Sequence, residues 1–391
     1  MKYILIFFII LMTNNFAKNL KIINRIESKY EFISYFTILY NENNEYDIAV
    51  FSYDENINRT SLEIFDKHNK CIFRKELGEG SVMLSSVVRE NNKLIFFLNK
   101  LYLFDNNNFL LDSLELKNKE YTTIQLKNDI LIANSKLNVD LYSINAFNLI
   151  NSFNRKESSP WDLPKLQDSL MIFKNFQNEL VFLNINNKKI VDTVNTGETE
   201  LKLLGIKVLS GKDAITDYKI NDNLLYFVTI GGSIYKYDIK LKKIVALRKS
   251  FMGDENNAGL INNFKFTDAN LDGNIDFVGA AVDNNIYCIN GKDLTTIWQY
   301  NTGNENQHPI FLYDVNKDSI PEVFGVTYYD QKLYIIDGKS GTLLYDKKDL
   351  NNKGKWTPTS VFVDDLNKDG NINIVCESGV PKGLIILELI K

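Results

Sequence analysis

Three nine-residue stretches in the last third of the chain alternate oxygen-bearing side chains with spacers. The first runs from Asp268 through Asn270, Asp272, Gly273 and Asn274 to Asp276. The second runs from Asp314 through Asn316, Asp318, Ser319 and Ile320 to Glu322. The third runs from Asp365 through Asn367, Asp369, Gly370 and Asn371 to Asn373. Carboxylate or amide oxygens stand at positions 1, 3, 5 and 9, and position 7 (Asn274, Ile320, Asn371) offers at least a backbone carbonyl. Alternate residues of a tightly curled loop point inward, and calcium accepts six to eight such oxygens in a forgiving geometry. The pattern predicts up to three structural calcium ions, one per loop. Gly273 and Gly370 suit the sharp turn at position 6, where Ser319 makes the same turn costlier. Asn373 replaces a carboxylate at position 9, so affinity is expected to fall toward the third loop.

The elements that must hold these loops repeat. Eight short apolar strands end in an acidic residue or Asn: Leu62–Asp66, Leu101–Asp105, Leu141–Asn145, Leu180–Asn184, Ile234–Asp238, Ile286–Asn290, Leu333–Asp337 and Leu384–Glu388. They recur 39 to 54 residues apart. A repeat of this length built only of strands and turns is the signature of propeller blades. The predicted fold is all-β, an eight-bladed β-propeller of four-stranded antiparallel blades, with seven blades as the alternative. The last repeat lacks its fourth strand, and Leu20–Ile26 is the strand expected to complete it. The fourth repeat, Trp161 to Val194, is the least regular, and Gly197–Gly211 reads as irregular chain. Each calcium loop falls between the first and second strands of its blade, where earlier repeats have tight turns such as Asn91-Asn92 or Asn128-Asp129. A plain surface turn would not need three copies of one nine-position pattern.

Composition narrows the partners. The 391 residues carry a net charge of −4 with Lys and Arg scattered among Asp and Glu, so no basic stripe invites nucleic acid. Residues 1–17 read as a secretory signal peptide: Lys2, the apolar run Ile4–Met12, and Ala17 before the expected cut. No later stretch is long and apolar enough to span a bilayer. Residues 18–391 are then expected to form one propeller domain, with the calcium loops in 259–391. The protein is expected in the periplasm, at the cell surface or secreted. Three widely spaced cysteines, Cys71, Cys288 and Cys376, read as buried thiols rather than a disulfide framework.

The segment from about Gly259 to Lys391 resembles the calcium-loop propeller repeats called FG-GAP or VCBS, in which D-x-N-x-D-G-x-x-D precedes a strand like Ile275–Ala281. Ile286–Tyr300 (IYCINGKDLTTIWQY) and Leu333–Lys347 (LYIIDGKSGTLLYDK) also resemble quinoprotein-like (PQQ-like) repeats, a class that includes the propeller of the bacterial outer-membrane protein assembly factor. The resemblance implies a binding or scaffolding module of the cell envelope with a protein partner. The alternative is a glycan-binding or polysaccharide-active propeller.

Quinone chemistry is disfavoured. Of Trp161, Trp298 and Trp356, only Trp298 matches the blade-docking position that such enzymes repeat. With only His68, in a turn, and His308, at a strand start, neither a nucleophilic triad nor a zinc site is built. No catalytic residue and no cofactor-binding residue is assigned, and the chain is not expected to be an enzyme.

Overall fold

The computed structural model describes residues 20–389 apart from 31, 83–86, 91, 99, 115–120, 128, 136, 146–147, 155–163, 176, 204–205, 250–260, 282–283, 304–309, 327–331, 348–360 and 380–381. The signal segment, His308, Trp161 and Trp356 lie outside these residues. Every regular element among the described residues is a strand.

Local chemistry explains the hairpins. The residue that leaves a strand is repeatedly an Asp or Asn whose side-chain oxygen caps the turn. Asp66 Oδ1 accepts from the His68 and Lys70 amides, both at 2.9 Å. Asn41 Oδ1 does the same for Asn43 and Glu45, and Asn175 Oδ1 for Gln177 and Glu179. In each case the third residue on is an Asn at positive φ, Asn69, Asn44 or Asn178. Asn tolerates that region because its short amide bonds locally. The strand-ending Asp or Asn of the repeat is therefore a turn device. Glu388 differs, for it lies inside the strand Lys382–Leu389.

Eight four-stranded antiparallel sheets result, and the fold is an eight-bladed β-propeller. The first blade is Phe32–Tyr40, Tyr46–Asp54, Arg59–Phe65 and Cys71–Glu79. The fourth, expected to be weakest, is regular: Lys165–Gln167, Leu170–Lys174, Leu180–Asn184 and Lys189–Val194. In the eighth, Leu20–Glu27 pairs antiparallel with Lys382–Leu389, from Leu20 opposite Leu389 to Glu27 opposite Gly383. The strand nearest the N-terminus thus covers an edge that would otherwise expose unpaired backbone groups.

One expectation is corrected. The Gly197–Gly211 stretch is not irregular; Glu198–Leu203 and Ile206–Lys212 form a two-stranded hairpin outside the blades. The alternation of Glu, Thr and Lys with Leu, Ile and Val supports strand pairing, a signal the flanking glycines obscured.

The described residues divide into two compact units: Ser28–Glu198 with Lys212–Ile215, and Thr199–Gly211 with Thr216–Lys391 and the segment up to Glu27. Within each, consecutive blades share an apolar cluster. Phe51 and Leu62 of the first blade meet Phe96 and Phe104 of the second. Phe324 and Ile335 of the seventh meet Ile374 and Leu387 of the eighth. Many strands are buried along their whole length, as Glu322–Val326 is, because both faces are covered. No disulfide joins the three cysteines; Cys288 and Cys376 are buried and Cys71 is half-buried.

Candidate calcium loops

All fifteen predicted ligand residues are described, and the three loops fold alike. In the first, Asp268 Oδ1 and Oδ2 accept from the amides of Asp272 and Gly273, at 3.1 and 3.0 Å. Asn270 Oδ1 accepts from the Asp272 amide at 3.0 Å, and Asp272 Oδ1 from the Asn274 amide at 2.8 Å. The second loop repeats each contact. Asp314 accepts from Asp318 and Ser319, Asn316 from Asp318, and Asp318 from Ile320. In the third, Asp365 Oδ2 accepts from Gly370, Asn367 from Asp369, and Asp369 from Asn371. The side chains at positions 1, 3 and 5 therefore turn in toward the loop's own backbone. Position 6 has positive φ in all three: Gly273 at 81°, Ser319 at 74° and Gly370 at 90°. The serine tolerates a conformation that costs a residue with a Cβ roughly 1–2 kcal/mol.

Position 9 has a second job that sequence alone did not reveal. Asp276 Oδ2 accepts from the Ala269 amide at 3.0 Å, Glu322 Oε2 from Val315 at 2.8 Å, and Asn373 Oδ1 from Leu366 at 3.0 Å. Each ties the loop's exit strand to its second residue, and all three side chains are buried. Asp276 Oδ1 also accepts from the Gly291 amide in the turn between the third and fourth strands. Burial pushes the Asp276 carboxyl up, with Asp272 and Asp268 adding repulsion. It pushes Glu322 up to about 7, with the charges of Asp318 and Asp337 contributing. These are acidic groups that a nearby cation would relieve.

The residues fit calcium on two grounds. At position 1 of the first two loops, each carboxylate oxygen of Asp268 and Asp314 accepts a single amide bond, which leaves it a lone pair for an ion. In the third loop Asp365 Oδ1 is buried with no hydrogen-bond partner, whereas its counterparts in the other loops accept from position 5. A buried acceptor without a partner costs about 1–3 kcal/mol, and it belongs to the first residue of the loop pattern. Among the described residues no three carboxylate, thiol or imidazole groups are gathered as a ready metal cluster. Each loop would also draw on amide and carbonyl oxygens, a mixture that calcium accepts.

Trp298 is the other predicted feature with a defined place. Its Nε1 donates to the Gly338 carbonyl of the seventh blade at 2.7 Å, and the ring is buried. His68 sits in its turn as expected and borders a pocket described below.

Comparison with known proteins comes from structure. No protein-family model matches the sequence, and no curated protein matches it. Solved propellers do match. The computationally designed Ika8 protein has a TM-score of 0.64 at 12% identity, covering 93% of this chain and 98% of its own. The C-terminal WD40 domain of Sif2 has a TM-score of 0.63 at 12% identity, covering 96% and 100%. BamB from Moraxella catarrhalis has a TM-score of 0.57 at 11% identity, covering 95% and 100%. The likeness shows the fold. At such identities it carries no function.

Proposed function

We propose that this chain is an exported β-propeller, rigidified by calcium in its last three blades, that serves as a non-catalytic protein-binding scaffold of the cell envelope. The observation that carries the reading is the shared architecture of the three loops, with inward-turned oxygens at positions 1, 3 and 5 and the unpartnered Asp365 Oδ1. Three consecutive blades treated alike argue for a structural ion at each, in the manner of FG-GAP or VCBS repeats. Export is supported by the signal-like pattern of residues 1–17. Propellers such as the WD40 domain and BamB lend the scaffold role plausibility by fold alone. Calcium would neutralise the paired aspartates of each loop and hold the connection between first and second strands in one conformation, presenting a fixed surface to a partner.

The test is affinity capture from envelope extract on the immobilised mature protein, in calcium and in EGTA. A discrete protein partner should be retained in calcium, and lost both in EGTA and with the triple variant Asp268→Asn, Asp314→Asn, Asp365→Asn. Retention of polysaccharide without protein would replace this reading with the glycan-binding one.

A further inference from the structure

A pocket of about 470 Å³ lies where three turns of the first two blades meet. Asn41–Glu45 joins the first and second strands of the first blade, and Asp66–Lys70 joins its third and fourth. Asn106–Phe109 joins the third and fourth strands of the second blade. None of these residues belongs to the calcium loops.

The floor is a chain of acceptors. Asp47 is 5% exposed, and its Oδ2 accepts from Asn106 Nδ2 at 2.7 Å. Asn106 is only 2% exposed, yet its Oδ1 has no hydrogen-bond partner. Asn107 repeats the arrangement: Nδ2 donates to Glu42 Oε1 at 2.8 Å, and the buried Oδ1 has no partner. In both amides the nitrogen is committed to a carboxylate, so a flip would set oxygen against oxygen, and the orientation is fixed. Two buried carbonyl oxygens are left facing a need for donors, each costing about 1–3 kcal/mol while unmet.

The charge balance says what kind of donor. Glu42, Glu45, Asp47 and Asp66 line the pocket against Lys67 and His68. Lys67 is already paired, its Nζ 2.7 Å from Glu45 Oε1. Asp66 Oδ1 caps its own turn, and no ion pair to Asp66 occurs among the described residues. Burial pushes the Asp47 carboxyl up, and the neighbouring Asp66 and Glu45 charges push it further, as expected of a site short of positive charge. The lining is mostly polar, with two apolar side chains at its edge: Ile72 is 38% and Phe109 39% exposed, both bordering the same space. The volume suits a small organic molecule, and no ready metal cluster occurs among the described residues.

We propose that this pocket binds an organic cation, an ammonium or guanidinium head on a short apolar stem. The head would pair with the Asp47 and Asp66 carboxylates while the stem lies against Ile72 and Phe109; Asn106 Oδ1 and Asn107 Oδ1, buried just beneath, would gain donors as the turns adjust around it. Phe109 also offers a ring face to the charge. Such a group occurs free, as in agmatine, or as the side chain of an arginine in a peptide.

Isothermal titration calorimetry on the full chain, with calcium held constant, tests this with agmatine and with N-acetyl-arginine methylamide. At least one should bind, and which one binds tighter distinguishes the free amine from the peptide side chain. Asp47→Asn keeps the shape and removes the charge, and should weaken binding about tenfold, the loss of one charge-assisted hydrogen bond. Phe109→Ala gives up a stacking contact with Phe73, 6.1 Å between centroids, so its melt should fall slightly, but it should still fold and bind several-fold more weakly, which keeps the proposal testable if Asp47→Asn folds poorly. Absence of heat from both cations at millimolar concentration, or affinities unchanged in both variants, would overturn it. So would a response to calcium or magnesium alone that Asp47→Asn abolishes without any response to the amines.

Discussion

Replacing Gly291 with alanine should destabilise the protein by about 3 kcal/mol or more, the upper end of overpacking costs. A Cβ at this position would stand 1.6 Å from the Ile275 carbonyl oxygen and 2.8 Å from its carbon. The obstacle is backbone, and it is the last residue before Asp276 at the exit of the first calcium loop. Gly291 has no room to retreat. Its amide donates to Asp276 Oδ1 at 3.0 Å, and its carbonyl accepts from Lys236 Nζ at 2.7 Å and Tyr226 Oη at 3.3 Å. Gly338 holds the equivalent place in the next blade, where a Cβ would lie 2.0 Å from the Pro321 carbonyl oxygen. Gly338→Ala should behave the same way. The control is Gly303→Ala: φ there is 74°, but nothing lies within 4 Å of the added carbon, so only conformational strain of roughly 1 kcal/mol is expected. Urea unfolding separates them. Equal midpoints for Gly291→Ala and Gly303→Ala would contradict the packing.

Trp298→Ala should cost about 3–5 kcal/mol, as large-to-small changes at buried aromatics do. The indole fills the cluster shared by the sixth and seventh blades, with Cys288, Val323 and Tyr334. Gly341, at φ 71°, lies so close that a Cβ there would sit 2.8 Å from the ring. Trp298→Phe should cost less, about 1–3 kcal/mol, because it keeps most of the apolar contact but leaves the Gly338 carbonyl without its 2.7 Å donor. Urea denaturation of the two variants gives the ranking, and a phenylalanine variant as weak as the alanine one would show that packing matters less than the hydrogen bond.

The fold was readable because the repeat is periodic and its turns are chemical. Asp66, Asp105 and Asp337 announce strand ends, since an oxygen at that point caps the next turn. The strand Leu20–Glu27 could be assigned to the eighth blade because that repeat was one strand short. The hairpin Glu198–Lys212 was harder to read, because its alternation lies outside the repeat and is broken by Gly197, Gly205 and Gly211. Within the calcium loops, spacing announced the inward-facing positions, but not the latch from position 9 to position 2, which depends on where Ala269, Val315 and Leu366 present their amides. The acidic pocket left no trace in the sequence. Asp47 comes from the second strand of the first blade and Asp66 and Asn106 from two separate turns, and in so Asn-rich a chain one more Asn is unremarkable.

Calcium binding measured by calorimetric titration of the metal-stripped mature protein, with thermal melts in calcium and in EGTA, bears most directly on the account. Up to three ions should bind, most weakly at the third loop, and Asp268→Asn, Asp314→Asn and Asp365→Asn should each weaken one site. At a hundredfold excess over its dissociation constant each ion should stabilise the fold by about 2.7 kcal/mol, so the melt should rise markedly in calcium. A protein that takes up no calcium at millimolar concentration and melts at the same temperature in EGTA would contradict it.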